Sequence, residues 1–330
     1  MIKKPKNPPM KKRNLLVAFF ALFVSAFVFA QSNQKPLRII VTFTAGGPVD
    51  FVARTIAEPL SKELGRTVLV ENRPGGNGAI GAAEIMRAEP DGSMVWLSSV
   101  GAVAINQALY EKLAYDMNRD FAPVSLVVNN VELLVVNQNN SAKDAGDFVT
   151  KAKSQKDPTP IASSGTGSIP HLALLQLQES TKVDFIHVPY TGMSQALTDV
   201  MGGQVAGVFA DVPAVMGQVK SGRLKPMGIA SKNRHPGLPD VKTFEELGIK
   251  AVDTNNWYGL FVSSKTPRQL IDQINKAIKN VILDPATSNK LLQSGAEPKS
   301  STPEELGAIL KADADKWSTL IKVKNIKANL

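Results

Sequence analysis

The chain has 330 residues, 43% hydrophobic and 20% charged, with no cysteine; that is ordinary material for two soluble domains and excludes disulfides, thiolate metal sites and a cysteine nucleophile. Of its net charge of +9, six come from Lys3, Lys4, Lys6, Lys11, Lys12 and Arg13, leaving only +3 on the remainder. With no basic clusters interleaved with aromatics, no nucleic-acid partner is expected.

The amino terminus reads as an export signal. After the basic residues 1–13, Leu15 to Ala30 is almost wholly apolar, and Val28-Phe29-Ala30 places small residues at the −3 and −1 positions before Gln31. The apolar run falls short of the ~20 residues that a spanning helix needs. Residues 1–30 are therefore expected to be a signal peptide cleaved near Ala30, and the periplasm is the expected location.

Leu37 to Phe43 is a β-branched strand that runs into Thr44-Ala45-Gly46-Gly47-Pro48-Val49-Asp50. Two glycines permit a tight turn with positive φ and leave the amides uncovered. Pro48 suits a first helical position, Asp50 suits the first turn, and an apolar helical pattern follows: Val49, Val52, Ala53, Ile56, Leu60. A strand–Gly-Gly–helix junction presents N–H groups and a partial positive charge to an anion. By residues alone, a plain βα turn is an equal reading.

Strands and helices then alternate, as in a parallel α/β sheet. Strands are expected at Thr67–Glu71, Met94–Ser98, Phe121–Val128 and Glu132–Val136, and a helix at Ala79–Ala88. From Ala142 the pattern restarts, with a helix at Asp144–Ala152 and a strand at Pro160–Ser163. A second glycine-rich junction follows, Ser164-Gly165-Thr166-Gly167-Ser168, and leads into a helix that contains His171. Further strands are expected at Phe185–Val188, Val205–Ala210, Leu224–Ala230 and Trp257–Val262, and helices at Met193–Met201, Thr243–Leu247, from Thr266 and at Pro303–Leu320. Two restarts imply two α/β lobes, one built from both ends of the chain: residues 31–135 with 228–330, and 136–227.

Three chemistries fail on context. Gly76-Asn77-Gly78-Ala79-Ile80-Gly81 matches the dinucleotide fingerprint in letters. Pro74 separates it from its strand, however, and the next strand ends in Ser98-Ser99 with no acid for a ribose. Ser168 and His171 fall on one helix face, which leaves a hydrolase or lyase as the alternative reading, but without an orienting acid or an oxyanion hole. Neither His187 nor His235 adds metal-ligand spacing. No catalytic residue, metal or cofactor is expected. What recurs is strand-end loops rich in amides and hydroxyls: Thr44 to Asp50, Ser98 to Gly101, Ser164 to Ser168, and Tyr190 to Gly192. In open α/β sheets ligands sit at such ends, and three or four hydrogen bonds to a charged acceptor, at roughly 1.5–3 kcal/mol each, approach micromolar binding.

Four segments carry a resemblance: Arg38 to Asp50, Val70-Glu-Asn-Arg-Pro-Gly-Gly-Asn-Gly78, Val188-Pro-Tyr-Thr-Gly192 and Trp257-Tyr-Gly-Leu-Phe261. In these the chain resembles the Bug (TctC-like) family, the periplasmic substrate-binding proteins of tripartite tricarboxylate transporters. The resemblance implies a two-lobed type II periplasmic binding fold closing on a small carboxylate. It also implies a membrane permease as partner, and a monomer is expected. Phe43, Thr44, Ala45, Gly46, Gly47 and Asp50 would hold the carboxylate through amides and ordered water. Ser164, Gly165, Thr166, Ser168, His171, Tyr190 and Thr191 would approach from the other lobe, and Asp211 would stand at the cleft. The chain departs from the family at Thr42 and Thr44, where proline is usual, and at Thr191, where lysine is common.

Overall fold

The computed structural model of the protein describes residues 35–327. The expected signal peptide, residues 1–30, and its cleavage point lie outside the described residues.

The strands form two sheets. The first has the order β11-β4-β10-β3-β1-β2, with β1 Leu37–Val41, β2 Val68–Asn72, β3 Met94–Ser99, β4 Phe121–Asn129, β10 Tyr258–Ser263 and β11 Glu297–Pro298. The second has the order β7-β6-β8-β5-β9, with β5 Glu132–Asn137, β6 Thr159–Ser163, β7 Phe185–Pro189, β8 Gly207–Asp211 and β9 Leu224–Ile229. The helices are α1 Pro48–Leu64, α2 Ala79–Arg87, α3 Asn106–Leu109, α4 Met117–Asp120, α5 Ala145–Ser154, α6 Ile169–Thr181, α7 Met193–Met201, α8 Val212–Lys220, α9 Arg268–Leu283, α10 Pro285–Ser294 and α11 Pro303–Val323.

Both faces of both sheets are covered, and the period-two alternation of the strands shows why. In β1, Leu37, Ile39 and Val41 enter one core with Val52 and Ile56 of α1 and Ile274 and Ile278 of α9. Ile40 points the other way, into a core built round Trp96, Trp257, Phe261 and Trp317. Likewise Leu134 and Val136 of β5 pack with Phe148 and Leu174, while Leu133 and Val135 pack with Leu197 and Val215. Strands buried on both sides read as continuous apolar runs, and here they do.

The chain leaves the first sheet after Asn129, enters the second at Glu132 and returns between Ile229 and Tyr258. The two crossings run side by side: Asn256 N–H donates to the Asn130 carbonyl at 2.9 Å, and Val131 bridges Asn255 in antiparallel fashion. Boundaries at 135/136 and 227/228 would fall inside β5 and β9, so sheet membership draws the crossings outward to Asn130–Val131 and to the segment after Ile229.

Four helical stretches were silent in the sequence pattern, one of them α4, a single turn capped by the Asp116 side chain. Helix α8 follows β8 with no loop, so the junction reads as one apolar run. Helix α10 begins at Pro285, capped by the Asp284 side chain, immediately after α9 ends. Gly101–Ile105 is a π-turn that continues into α3, too short and too apolar for a 3.6-residue period to emerge. Conversely, the helix expected at Thr243–Leu247 is a single 3₁₀ turn, Glu245–Leu247.

Candidate ligand-binding site

Strands β1, β2 and β3 are parallel neighbours, so Val41, Asn72 and Ser99 end along one edge of the first sheet. Strands β6, β7 and β8 are likewise parallel, so Ser163, Pro189 and Asp211 end along one edge of the second. The two edges are tied directly. Tyr258 lies opposite Ser99 in the β10–β3 register, and its hydroxyl donates to Asp211 at 2.6 Å.

The β1–α1 turn exposes Thr44, Ala45 and Gly46, while Phe43 is partly buried against the first core. Only Gly46 has positive φ, at 80°. Gly47 is the N-cap at φ −78°, with no side chain to satisfy the first-turn N–H groups of α1. Asp50 is placed differently from the exposed turn residues. It is 2% exposed and its carboxylate accepts from Gly46 N–H at 2.8 Å, Arg54 Nε at 2.9 Å and Asn72 Nδ2 at 2.9 Å. Burial pushes this carboxyl up, but those three donors outweigh it and hold it below the usual range. Asp50 therefore braces the turn from behind. The Gly46 amide serves that brace, and Gly47 N–H points to the Thr44 carbonyl at 3.3 Å.

Behind the turn, Thr42 is buried, accepting from Trp96 Nε1 at 3.2 Å and lying 3.4 Å from the Ser98 hydroxyl. Packing against Thr42 explains the fingerprint-like glycines. A Cβ on Gly78 would stand 2.7 Å from that of Ala102, and one on Gly81 would stand 2.3 Å from Thr42 Cγ2. These glycines seat α2 on β1. Asn77, at φ 45° just before Gly78, exchanges hydrogen bonds with Asn106.

In the second sheet, Ser164 and Gly165 are half-buried and Thr166 is exposed. Ser168 is the N-cap of α6: its hydroxyl donates to the Gly165 carbonyl at 2.7 Å and accepts from His171 N–H at 3.5 Å. The His171 ring is engaged elsewhere. Its Nδ1 accepts from Gly167 N–H at 3.0 Å, so its proton is on Nε2. The ring stacks on His187 with centroids 3.8 Å apart, and His187 Nε2 lies 2.6 Å from the Ser163 hydroxyl. Ser168 and His171 thus share a capping bond but no serine–imidazole bond, and the pair lacks the contact a nucleophile needs. At the β7 end, Tyr190 donates to Asp199 at 2.6 Å and the exposed Thr191 to Gln195 at 2.8 Å.

The stacked imidazoles are both neutral. Burial, then the His187 ring, pushes His171 down to about 3, and burial pushes His187 down to about 4. An unfolded chain takes up these protons near 6.5, whereas the folded one does not. Their contribution is present above that value and is lost as pH falls toward the folded values, at up to about 1.4 kcal/mol per pH unit for each ring. Urea unfolding at pH 7 and pH 5 should show this loss, and His187→Phe should flatten it. Parallel profiles would mean that the folded pair takes up protons at the same pH as the unfolded chain.

Sequence reasoning missed Arg54, Asn72 and Asn106, the supports of the exposed loops, and it missed His187 as the partner of His171. Asn72 stood inside a recognised segment, but nothing local pairs it with a residue 22 positions away. The Glu132, Asn256 and Tyr258 surroundings of Asp211 arise only from the two crossings.

Comparison with known proteins identifies the family. The family model of the tripartite tricarboxylate transporter family receptor matches residues 52–326. The solved structure of periplasmic binding protein BugD is 31% identical, superposes with a TM-score of 0.81, and covers 90% of this chain and 100% of its own. MatC from Rhodopseudomonas palustris with bound malate is 29% identical at TM-score 0.79, covering 88% and 100%. A second R. palustris protein, with adipate, is 26% identical at TM-score 0.83, covering 88% and 98%. Of these neighbours BugD is a periplasmic binding protein, and the other two are solved with a bound carboxylate. A match over most of the chain makes this protein a member of the tripartite tricarboxylate transporter family receptors.

Proposed function

We propose that this protein, exported and cleaved near Ala30, works in the periplasm as a monomeric solute-binding protein. It captures a small carboxylated organic anion at the strand ends between two lobes and delivers it to the membrane permease of a tripartite tricarboxylate transporter. One lobe carries the first sheet and the other the second. The observation that carries this reading is the pairing of two glycine turns, each at a helix amino terminus. Thr44–Gly47 opens α1 from the first sheet, and Gly165–Ser168 opens α6 from the second. Such ends favour negative charge without any cationic side chain. Malate in MatC and adipate in the second neighbour support a carboxylate as the anion.

Thermal unfolding with malate, adipate, citrate, glutamate and benzoate tests the reading. A ligand at a hundred times its Kd should stabilise the fold by about 2.7 kcal/mol, and mass spectrometry should return it intact. A panel that leaves the melting temperature unmoved would remove the proposal's support.

A further inference from the structure

The crossing between the sheets contains a cluster of polar side chains that ligand capture does not account for. Glu132 is fully buried at the start of β5, and in the antiparallel register it sits directly across from Asp211 at the end of β8. Asp211, 8% exposed, accepts from Tyr258 Oη at 2.6 Å and Asn256 Nδ2 at 2.7 Å. Neither Glu132 oxygen has a donor in hydrogen-bond geometry, and the Asn130 amide, buried at the same crossing, is also unmatched. Among the described residues, no lysine, arginine or histidine pairs with either carboxyl.

Two adjacent carboxylates without a cation cannot both stay ionised in such a site. The donors settle which one keeps the charge. Asp211 has two, so it is the carboxylate; Glu132 has none, so it needs a hydrogen of its own. We propose that Glu132 and Asp211 form a proton-binding site at the crossing, in which the Glu132 carboxyl carries the proton and donates it to the Asp211 carboxylate.

The groups facing the pair are few. They are Asp211 from β8, Tyr258 from β10, and the neutral Asn130, Thr254 and Asn256 of the two crossings. Burial first, then Asp211, pushes Glu132 well above the usual carboxyl range. Burial and the same carboxylate push the Tyr258 phenol up, keeping it a donor. The site binds the proton where both crossings meet the ligand-side edge: Glu132 N–H reaches the Thr254 carbonyl at 3.4 Å, and Ala230 N–H reaches the Glu132 carbonyl at 2.8 Å. Loss of the proton would place a second negative charge inside the joint between the sheets and beside the edge that receives an anion.

The linkage sign is fixed by the raised value. The folded chain holds a proton that the unfolded chain releases near 4.5, so the contribution is complete below that pH and is lost as pH rises toward the folded value. In that window the folding equilibrium constant should fall tenfold per pH unit relative to Glu132→Gln, whose amide keeps a donor toward Asp211 and cannot ionise.

The test has three arms on the mature chain. Infrared spectra of the wild type at pH 7 should contain a protonated-carboxyl stretch that vanishes in Glu132→Gln and shifts in Asp211→Asn. Urea midpoints from pH 5 to pH 9 should decline more steeply for the wild type than for Glu132→Gln. Malate titrations should weaken with rising pH in the wild type and not in Glu132→Gln. This last arm rests on the binding function proposed above; the first two do not, so failure of malate to bind counts against that function alone. A wild-type spectrum without the carboxyl band at pH 7 overturns the proton site even if Glu132→Gln does not fold. Superimposable stability profiles overturn it as well.

Discussion

Asp50→Ala should unfasten the β1–α1 turn and remove most of the protein's affinity for its anion. The carboxylate gathers the Gly46 amide, the Arg54 guanidinium and the Asn72 amide round one buried point. Its loss leaves the Gly46 N–H unmatched and the Asn72 amide with only the Phe43 carbonyl, at 3.2 Å, at the base of an exposed turn. With Arg54 half in solvent, the stability loss should be about 2–3 kcal/mol, below the 3–5 typical of a fully buried pair. The effect on binding is larger in kind. A free turn must be ordered again by the ligand at ~1–2 kcal/mol per residue, and two residues already amount to a hundredfold in affinity. Arg54→Ala, by contrast, removes an exposed partner and should change stability by less than about 1 kcal/mol. Urea unfolding and calorimetric titration with malate and adipate separate the two variants. Wild-type affinity in Asp50→Ala would show that the turn takes no part in holding the anion. The brace also has a sign in pH: its contribution is present above the ordinary aspartate value of 3.8 and is lost as pH falls through the depressed folded value.

The division between what the sequence displays and what it hides follows the range of the interactions. The strand-to-helix junctions of β1 and β6 are local: an apolar strand, glycines, a proline and a helix lie within about twenty residues, and both junctions are legible for that reason. The two-sheet plan is legible because the alternation restarts. The state of each site residue is not, because it is set by partners far along the chain. Asp50 has the sequence of a first-turn acid free to meet a ligand, and it is turned inward by Asn72 across the β1–β2 pair. Ser168 and His171 have the spacing of a pair, and the Gly167 amide and His187 divert the ring. The glycines at 78 and 81 match a dinucleotide fingerprint in letters but fail its context, and they act as space for Thr42. At Gly46 and Gly47 the positive φ falls on one of the two residues alone, a distinction that composition does not make.

Gly167→Ala carries the second large expectation, because this glycine lies where an element of the second sheet meets one of the first. Its φ is +77°, its N–H holds His171 Nδ1, and a Cβ would stand 2.3 Å from Leu109 Cδ2. Leu109 is 2% exposed at the end of α3, in the same core as Ile169 and Leu172 of α6, so the second-sheet turn is pressed onto a packed surface of the first. Two penalties are then distinguishable. The left-handed backbone disfavours any L side chain by about 1–2 kcal/mol, whatever its neighbours. Overlap with Leu109 adds about 1–3 kcal/mol as an overpacked contact and, where ligand capture needs the turn seated there, should lower malate affinity at least tenfold. Leu109→Ala, itself destabilising by about 2–4 kcal/mol, opens the space. In the Leu109→Ala background, Gly167→Ala should therefore show only the backbone part, an interaction energy of at least about 1 kcal/mol in the double-mutant cycle. Additive effects would assign the whole defect to the backbone of Gly167 and its bond to His171, and would remove the Gly167–Leu109 contact as the point where the two sheets are held together.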